Sequence, residues 1–470
     1  MARIGLVGAM AAALPLLGSA AAPAADDVAR GVLIERVSAL ASPDESYALY
    51  LPTTYSPDRP APILYAFDPR ARGRVPVERF QAAAERYGWI VAGSNASRNG
   101  IAVGDIIGRL WGDTHARLAI DPRRVYTTGF SGGARIASGM GLASRDQIAG
   151  VIAFGAGLPN GGRVPKGAGV LVFAGAGLDD FNLPEMRQLA ADLDGASIPN
   201  RLETWEGGHE WAPPELCTLA LEWLELGAMR SGTRTKDAAL VEQWARRDEE
   251  RARQQESAGA AVEAARAFDS LAADFRGLRE TAAYTESAAR IRGTRAYKDA
   301  LKAQRDDEHR QSYLAGELGA AIRVLSGDAE GPATALSSLR SAIADLRKAA
   351  DKPDGGREAH VARRVLGGAW IQALEASNAL RASKEYRRAA DALAVAGEVR
   401  PLGAGQLYEL ARLRALSGDT RQGLQVLTRA VDSGFSDVAA LQSEPDLERL
   451  RRSPEFAGLL ERARSGKKIE

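Results

Sequence analysis

The sequence predicts a mostly parallel, doubly wound α/β sheet followed by an all-helical domain. Short, almost wholly apolar runs alternate with helical patterns over residues 30–228, as expected for strands buried on both faces and their crossover helices. After about residue 230 glycine becomes less frequent and Ala, Arg, Leu and Glu dominate, which favours helices alone. The chain has 470 residues, more than one hydrophobic core usually holds.

The α/β elements follow in chain order. Two segments near the start predict an antiparallel edge pair at residues 31–37 and 46–51. Short apolar runs predict buried strands at residues 62–67, 89–93, 124–128, 150–154, 169–174 and 201–205. Helices are predicted at residues 75–87, 103–118, 134–146, 183–193 and 213–228. Because ligands bind at the carboxyl ends of such strands, candidate site residues should lie in the loops that follow them.

The first 25 residues resemble a secretory signal peptide. Arg3 precedes a short apolar stretch, and Ala22-Pro23-Ala24 offers a small-residue cleavage site. The apolar stretch is too short to span a bilayer comfortably. We therefore expect a periplasmic or secreted protein with no membrane insertion after signal removal; the alternative is an uncleaved anchor.

Composition argues against several other classes. The formal net charge is +1, so bulk charge indicates no nucleic-acid partner. Cys217 is the only cysteine and lies in an apolar helical run, so we expect a packed thiol and no intramolecular disulfide. The sequence has no His-Glu-x-x-His motif and no cysteine pair, so we expect neither a metal nor another cofactor.

The pentapeptide Gly129-Phe130-Ser131-Gly132-Gly133 is a G-x-S-x-G motif between a predicted strand and a predicted helix. Such a turn exposes the serine hydroxyl while its backbone is held, and the glycines are needed because strand and helix lie too close for larger side chains. The pattern alone gives roughly 0.3 chance matches in this chain, so its context carries the argument. The alternative is a glycine-rich strand end with an idle serine.

A serine nucleophile needs a base, and the base needs a carboxylate that orients it. His209 follows the last predicted strand in a Gly-Gly-His loop and is the predicted base, whereas His115 lies mid-helix and is expected to be a helix-surface or packing residue. The acid should lie between serine and histidine in chain order. Asp179 and Asp180 both follow the strand at residues 169–174, so either of them fits.

An oxyanion hole needs two backbone donors. Gly132 follows the serine and supplies one of them. The loop after residues 62–67 should supply the other. Since Pro69 has no N–H, Phe67 or Asp68 is the predicted donor.

Three motifs resemble the dienelactone hydrolase, polyhydroxybutyrate depolymerase and feruloyl esterase-like branch of the α/β-hydrolases: Gly129 to Gly133, Asp180-Phe181-Asn182, and Gly207-Gly208-His209-Glu210-Trp211. Members of this branch often carry a Gly-x-x-Asp-Phe-Asn acid loop and a Gly-Gly-His-x-Trp histidine loop. The resemblance covers about residues 30–228. It implies that Asp180 is the acid and His209 the base, and that Ser131 takes part in ester cleavage or related acyl transfer.

The substrate side has fewer signals. Only fourteen residues, 155–168, separate two predicted strands, which leaves no room for a helical lid and favours an open site for bulky or chain-end esters. Arg70 and Arg98 are expected either to bind a substrate carboxylate or phosphate or to keep their loops soluble. Asn95 is expected either to bind substrate or to brace a loop.

The C-terminal half contains one internal repeat. Residues 382–393 overlay residues 416–427 at an offset of 34, a period that resembles tetratricopeptide repeats. We predict a helical domain over residues 230–470, after an α/β-hydrolase domain over residues 26–229, and expect it to be tetratricopeptide-like at least over 359–460. Such arrays leave a concave surface for a protein partner. The alternative is a plain helical bundle.

The sequence thus predicts an exported serine hydrolase that cleaves a small-molecule or oligomeric ester through an acyl-enzyme. The helical repeats would recruit a partner or the substrate. Two alternatives remain: a binding or scaffold protein that uses the repeats, and a serine peptidase with the same three catalytic residues.

Overall fold

The computed structural model describes residues 28–144, 146–167, 169–327, 333–353 and 355–465. The predicted signal peptide lies outside these residues. The described residues fall into two compact units, one ending at Ala149 and the other beginning at Gly150.

The first unit alternates strands and helices. Its elements are β1 (Leu33–Ala39), β2 (Ser42–Tyr50), β3 (Ala61–Phe67), α1 (Arg74–Tyr87), β4 (Ile90–Ser94), α2 (Gly104–Arg117), β5 (Ile120–Phe130) and α3 (Gly132–Ala143). The strand order is β1-β2-β4-β3-β5. β2 pairs antiparallel with both β1 and β4, and β3 pairs parallel with β4 and β5. The predicted antiparallel edge pair and parallel strands are confirmed.

The central strands of this unit are buried along their whole length. Every residue of β3 and every residue of β4 is buried, which explains why these segments are continuously apolar instead of alternating. Helix α1 covers them with a stripe that includes Val77 and Phe80, both fully buried. Gly88 caps the C-terminus of this helix, and its φ of 75° is a left-handed conformation that glycine adopts without a steric penalty.

The second unit begins with three parallel strands and their helices. These elements are β6 (Gly150–Phe154), β7 (Leu171–Gly177), α4 (Leu183–Gly195), β8 (Asn200–Trp205) and α5 (Pro214–Ser231). β7 pairs in parallel with β6 and with β8. The only regular element in the described part of the β6–β7 connection is a single 3-10 turn, Pro159–Gly161.

From α6 onward, the described regular elements are helices. They are α6 (Ala238–Ser257), α7 (Ala261–Asp274), α8 (Ala282–Gly293), α9 (Arg295–Leu325), α10 (Ala333–Ala350), α11 (Gly356–Ala382), α12 (Tyr386–Val399), α13 (Ala404–Leu416), α14 (Thr420–Asp432), α15 (Val438–Ser443), α16 (Glu448–Arg451) and α17 (Glu455–Ser465). We call α6–α17 the helical region. A mostly parallel α/β fold followed by an all-helical region is therefore confirmed, while the predicted domain boundary at residues 229–230 stays a prediction.

A buried group of charges joins β8 to the helical region. Arg201 Nη1 lies 2.7 Å from an Asp248 carboxylate oxygen and 3.2 Å from one of Asp274, and Arg201 Nε lies 2.8 Å from Glu203. Trp223 Nε1 donates to Asp274 at 2.7 Å. All four charged side chains are buried, and one guanidinium cannot balance three carboxylates. Arg247 therefore pairs with Asp248 at 3.0 Å, and Arg251 pairs with Glu203. Burial raises the pKa of Asp274 to about 6, despite the lowering effect of Arg201.

Two helix pairs repeat at the predicted spacing. α11 and α13 end at Ala382 and Leu416, and α12 and α14 begin at Tyr386 and Thr420, so each pair of positions is 34 residues apart. Leu393 of α12 and Leu427 of α14 occupy equivalent positions and are both buried. The spacing fits a helix–turn–helix repeat, and its relation to tetratricopeptide repeats stays a prediction.

Cys217 is buried on α5, as expected for a packed thiol. Within the described ranges, no helix combines the length and the apolar character that crossing a bilayer requires.

Candidate active site

Ser131 occupies a sharp turn between β5 and α3. Its φ of 53° and ψ of −121° lie in a region that non-glycine residues rarely adopt, at a cost of about 1–3 kcal/mol. A Cβ on Gly129 would overlap the carbonyl oxygen of Gly133, and a Cβ on Gly133 would overlap that of Phe67. Only glycine fits at these two positions, so the motif fixes a strained serine where strand and helix meet, as is typical of a nucleophile.

Gly132 starts α3, so its N–H belongs to the first turn of a helix, where backbone donors point outward and the dipole favours negative charge. The Asn99 amide lies against it: a Cβ on Gly132 would overlap Asn99 Oδ1 and would lie 3.0 Å from Nδ2. Asn99 N donates to Pro69 O at 3.0 Å, which fixes this loop to the one after β3. Sequence reasoning missed this contact, since residues 99 and 132 share no motif.

The loop after β3 is braced by its own side chains. The buried Asp68 carboxylate accepts from Arg72 Nε at 3.0 Å, from Arg72 Nη2 at 2.9 Å and from Arg70 N at 2.8 Å. This two-point contact between guanidinium and carboxylate holds the backbone that carries the predicted second donor. The donor roles of Phe67 and Asp68 stay predictions.

Asn95 is engaged by the protein on both sides of its amide. Its Oδ1 accepts from Gly73 N at 3.1 Å, and its Nδ2 lies 2.9 Å from Glu35 O and 3.3 Å from Ser46 Oγ. These contacts fit the bracing role that was one of the two expectations for this residue.

Arg70 and Arg98 lie opposite each other in an isolated antiparallel bridge, and both are exposed. Neither guanidinium has a hydrogen-bond or ion-pair partner among the described residues, whereas Arg72 pairs with Asp68 and Arg74 with a glutamate. Like charges directly opposite each other across a bridge are unfavourable. The fold therefore places these two arginines opposite each other, on the loop that follows β3 and on the loop that carries Asn99.

In the second unit, Asp180 and His209 form a close pair. His209 Nδ1 lies 2.9 Å from each carboxylate oxygen of Asp180. The Asp180 side chain is fully buried, and that of His209 is 12% exposed. A buried carboxylate at Nδ1 holds the imidazole in the tautomer that leaves Nε2 able to accept a proton.

Backbone contacts hold the two loops together. Asp180 follows β7, and its carboxylate also accepts from Asn182 N at 2.8 Å. Asp179 N donates to Gly207 O at 2.8 Å. A Cβ on Gly177 would overlap the Gly207 carbonyl, so the end of β7 touches the histidine loop directly. This close approach is the physical reason for glycine at both positions.

The structure distinguishes the two neighbouring aspartates. Asp179 Oδ1 lies 2.6 Å from His360 Nδ1, and its Oδ2 lies 3.4 Å from Arg363 Nη1; both partners are on α11. Among the described residues, Asp180 is the one of these two aspartates that lies within hydrogen-bond distance of His209. Sequence order left the choice open, and the resemblance implied Asp180, which is the aspartate beside the imidazole.

His115 and two tryptophans near the histidine loop have packing contacts. His115 stacks on Trp111, with ring centroids 4.5 Å apart, and its Nδ1 lies 2.9 Å from the Trp111 carbonyl. Trp205 and Trp211 meet Phe154 edge-on, at centroid distances of 6.0 and 6.2 Å. In the part of the chain that the structure describes, no group of three His, Cys, Asp or Glu side chains has the arrangement of a metal site.

No family profile matches this sequence, and no curated protein is similar to it. Solved structures are similar to part of the chain. Fluorophosphonate-binding serine hydrolase F of Staphylococcus aureus is 13% identical, with a TM-score of 0.35 over 42% of this chain and 99% of that one. S-formylglutathione hydrolase of the same organism is 14% identical, with a TM-score of 0.32 over 38% and 90%. A Bacillus cereus carboxylesterase is 17% identical, with a TM-score of 0.32 over 38% and 93%. At such scores these likenesses say nothing of this chain's substrate, and its own strands and helices establish its fold.

Proposed function

We propose that this protein is a serine hydrolase that cleaves an ester through an acyl-enzyme. The observation that carries the proposal is the buried Asp180 carboxylate 2.9 Å from His209 Nδ1. In serine hydrolases, such a carboxylate orients the histidine so that its Nε2 acts as the general base for the nucleophile. Ser131, at its strained G-x-S-x-G turn, is the nucleophile that the chain offers.

The proposed reaction has two halves. Ser131 Oγ attacks the ester carbonyl while His209 Nε2 takes the hydroxyl proton, and the imidazolium then gives this proton to the departing alcohol. Water attacks the acyl-enzyme with His209 as base again, which releases the acid and restores the serine. The Gly132 N–H and a second donor from Phe67 or Asp68 would stabilise the negative oxygen in both steps.

Hydrolysis of p-nitrophenyl acetate by wild type and Ser131→Ala tests the proposal. We expect the variant to lose about 10⁴-fold or more in kcat, because removing the nucleophile leaves only binding and the oxyanion donors. Ser138→Ala is the matched control, since Ser138 also lies on α3 and its buried hydroxyl has no hydrogen-bond partner among the described residues. Undiminished turnover in Ser131→Ala would refute the assignment.

The two alternatives give different results. A serine peptidase would cleave p-nitroanilides of the same acyl groups at rates comparable to the esters. A scaffold protein would fold normally and cleave neither. Because serine esterases form the acyl-enzyme readily from activated esters, we expect ester cleavage to be faster by several decades.

For the substrate, we propose an ester that carries a carboxylate or another anionic group. Arg70 and Arg98 support this proposal, because they are exposed, face each other across a backbone bridge and lack a partner among the described residues. An anion between them would relieve their repulsion and would accept hydrogen bonds from both guanidinium groups. The short β6–β7 connection supports the expectation of bulky or chain-end esters.

A matched pair of substrates tests this preference: p-nitrophenyl hexanoate and the p-nitrophenyl monoester of adipic acid. We expect Arg70→Ala with Arg98→Ala to raise KM about tenfold for the anionic ester and to leave the neutral one unchanged. Arg74→Ala is the control, since Arg74 begins α1 directly after the same loop but pairs with Glu35 at 2.6 Å. Equal effects on both substrates would contradict the anion preference and leave the hydrolase proposal standing.

We also propose that the protein is exported and that its helical repeats recruit a partner. The charged start, short apolar stretch and small-residue site of the first 25 residues support export. Cell fractionation with mass spectrometry of the mature N-terminus tests it. We expect a start between about residues 23 and 26. An intact Met1 in the cytoplasmic fraction alone would contradict export.

A further inference from the structure

Two helices of the helical region contact the acid loop, which we define as residues 178–182. We propose that α9 and α11 hold this loop where Asp180 can orient His209, so that Gln311 and Arg364 are positioning residues for catalysis. The inference rests on the proposed function of Asp180 and His209. It gives the helical region a part in the reaction that partner recruitment alone does not.

A buried chain of hydrogen bonds encloses the acid loop. Arg364 of α11 donates from Nη1 to Leu178 O at 2.8 Å and from Nε to Gln311 Oε1 at 2.6 Å. Gln311 of α9 donates from Nε2 to Phe181 O at 2.8 Å. Arg364 is 5% exposed and Gln311 is 6% exposed. The carbonyls two residues before and one residue after Asp180 are therefore tied to each other through the helices.

Fold stability alone does not favour this arrangement. The hydrogen bonds of the Arg364 guanidinium among the described residues run to an amide and a backbone carbonyl, not to a carboxylate. Burial, together with repulsion from Arg187, lowers the pKa of Arg364 although the carboxylates of Asp307, Asp179 and Glu308 act in the opposite direction. A buried cation with neutral partners is costly, and an apolar contact would hold two helices together equally well. What the guanidinium provides is directional donors to the acid loop.

Packing connects α11 with the imidazole through Phe181. A Cβ on Gly368 of α11 would lie 3.2 Å from Phe181 Cβ, so the absence of a side chain lets the helix approach this residue. The Phe181 ring lies 4.3 Å from the His209 ring, centroid to centroid. His360 of α11 also holds Asp179 at 2.6 Å. Residues on both sides of Asp180 are therefore attached to the helical region.

Gln311→Met tests the proposal. Methionine has nearly the same shape but neither donates to Phe181 O nor accepts from Arg364. We expect kcat for p-nitrophenyl acetate to fall about tenfold and KM to stay within about twofold, because the loss lies in orientation and not in substrate binding. Arg364→Lys keeps the positive charge but replaces the several N–H donors of the guanidinium with a single ammonium group. We therefore expect a smaller loss of kcat, about threefold.

Arg310→Ala is the matched control. Arg310 precedes Gln311 on α9, is exposed and reaches Glu358 of α11 at 3.3 Å, so it links the same two helices without touching the acid loop. We expect wild-type kcat in this variant. A loss equal to that of Gln311→Met would overturn the proposal, because it would mean that any loosening of the helices has the same effect.

Two further readouts separate positioning from general destabilisation. The acid limb of the kcat/KM profile should move to lower pH in Gln311→Met, since a displaced Asp180 stabilises the imidazolium less. The low-field proton resonance of the His209–Asp180 hydrogen bond should weaken in the same variant, and this measurement needs no turnover. If wild type cleaves no ester, the proposed function fails. The resonance of the His209–Asp180 hydrogen bond can still be compared between wild type and Gln311→Met, and this comparison then tests whether Gln311 positions Asp180. A wild-type resonance in folded Gln311→Met and Arg364→Lys would overturn it; if Gln311→Met does not fold, Arg364→Lys decides by the same readouts.

Discussion

Replacing one aspartate at a time separates the acid of the site from its neighbour. In Asp180→Asn, the fully buried side chain keeps its volume, but one carboxylate oxygen becomes an NH₂ group and the negative charge is lost. His209 Nδ1 lies 2.9 Å from both oxygens. The amide NH₂ of asparagine is a donor, so it either repels the N–H at Nδ1 or favours the tautomer that is protonated at Nε2 and cannot take a proton there.

The expected magnitude is large for Asp180 and small for Asp179. A wrong tautomer in such a pair lowers kcat about 10⁴-fold, which corresponds to about 5 kcal/mol in the activation free energy. Asp179 is 20% exposed and pairs with His360, which is 25% exposed, and with Arg363 at 3.4 Å. Ion pairs at the surface contribute about 0–1 kcal/mol, so Asp179→Asn should leave kcat within about threefold of wild type.

Steady-state hydrolysis of p-nitrophenyl acetate gives both values, and thermal unfolding checks that each variant is folded. A loss of several decades in Asp179→Asn, or equal losses in the two variants, would refute the assignment of Asp180 as the acid. Near-normal activity in folded Asp180→Asn would refute the catalytic role of the His209–Asp180 pair altogether.

Two further predictions concern the fold. Gly133→Ala should lower the free energy of unfolding by about 3 kcal/mol, because the added Cβ overlaps the Phe67 carbonyl. Gly112→Ala on α2 is the control, since a Cβ there has open space and should raise the free energy of unfolding by up to about 1 kcal/mol. Urea titrations measure both values, and equal values would contradict the close approach of Gly133 to Phe67. Burial raises the pKa of Asp274 from 3.8 to about 6, so the folded state binds this proton more tightly than the unfolded chain does, and the stability gained by protonation is lost as the pH rises through about 6. Between pH 5 and 7 this contributes a loss of about 1 kcal/mol, which Asp274→Asn should remove; the same pH dependence in wild type and variant would contradict it.

The sequence predicted the α/β part well because strands that are buried on both faces consist of nearly continuous apolar runs, which are easy to recognise. The apolar run at residues 150–154 coincides with β6 (Gly150–Phe154). The G-x-S-x-G motif was informative because the backbone at positions 129 and 133 lies so close to neighbouring backbone atoms that only glycine fits there.

Contacts between distant side chains were outside the reach of that reasoning. Gln311 is one of four buried residues on α9, and no periodic pattern marks a single buried glutamine on a helix that is largely exposed. Its partner Phe181 O lies 130 residues away in the chain. Asn99 gave no signal for its contact with Gly132, because only the pairing of two loops brings them together.

Labelling with a fluorophosphonate tests the central claim most directly, since the reagent reacts with a serine only where a base has made its hydroxyl nucleophilic. Intact-mass measurement should show one adduct per chain, and peptide mapping should place it on Ser131. Ser131→Ala should take up none, and Asp180→Asn should react slowly. Folded wild-type protein that stays unlabelled, or an adduct on another residue that persists in Ser131→Ala, would contradict the account.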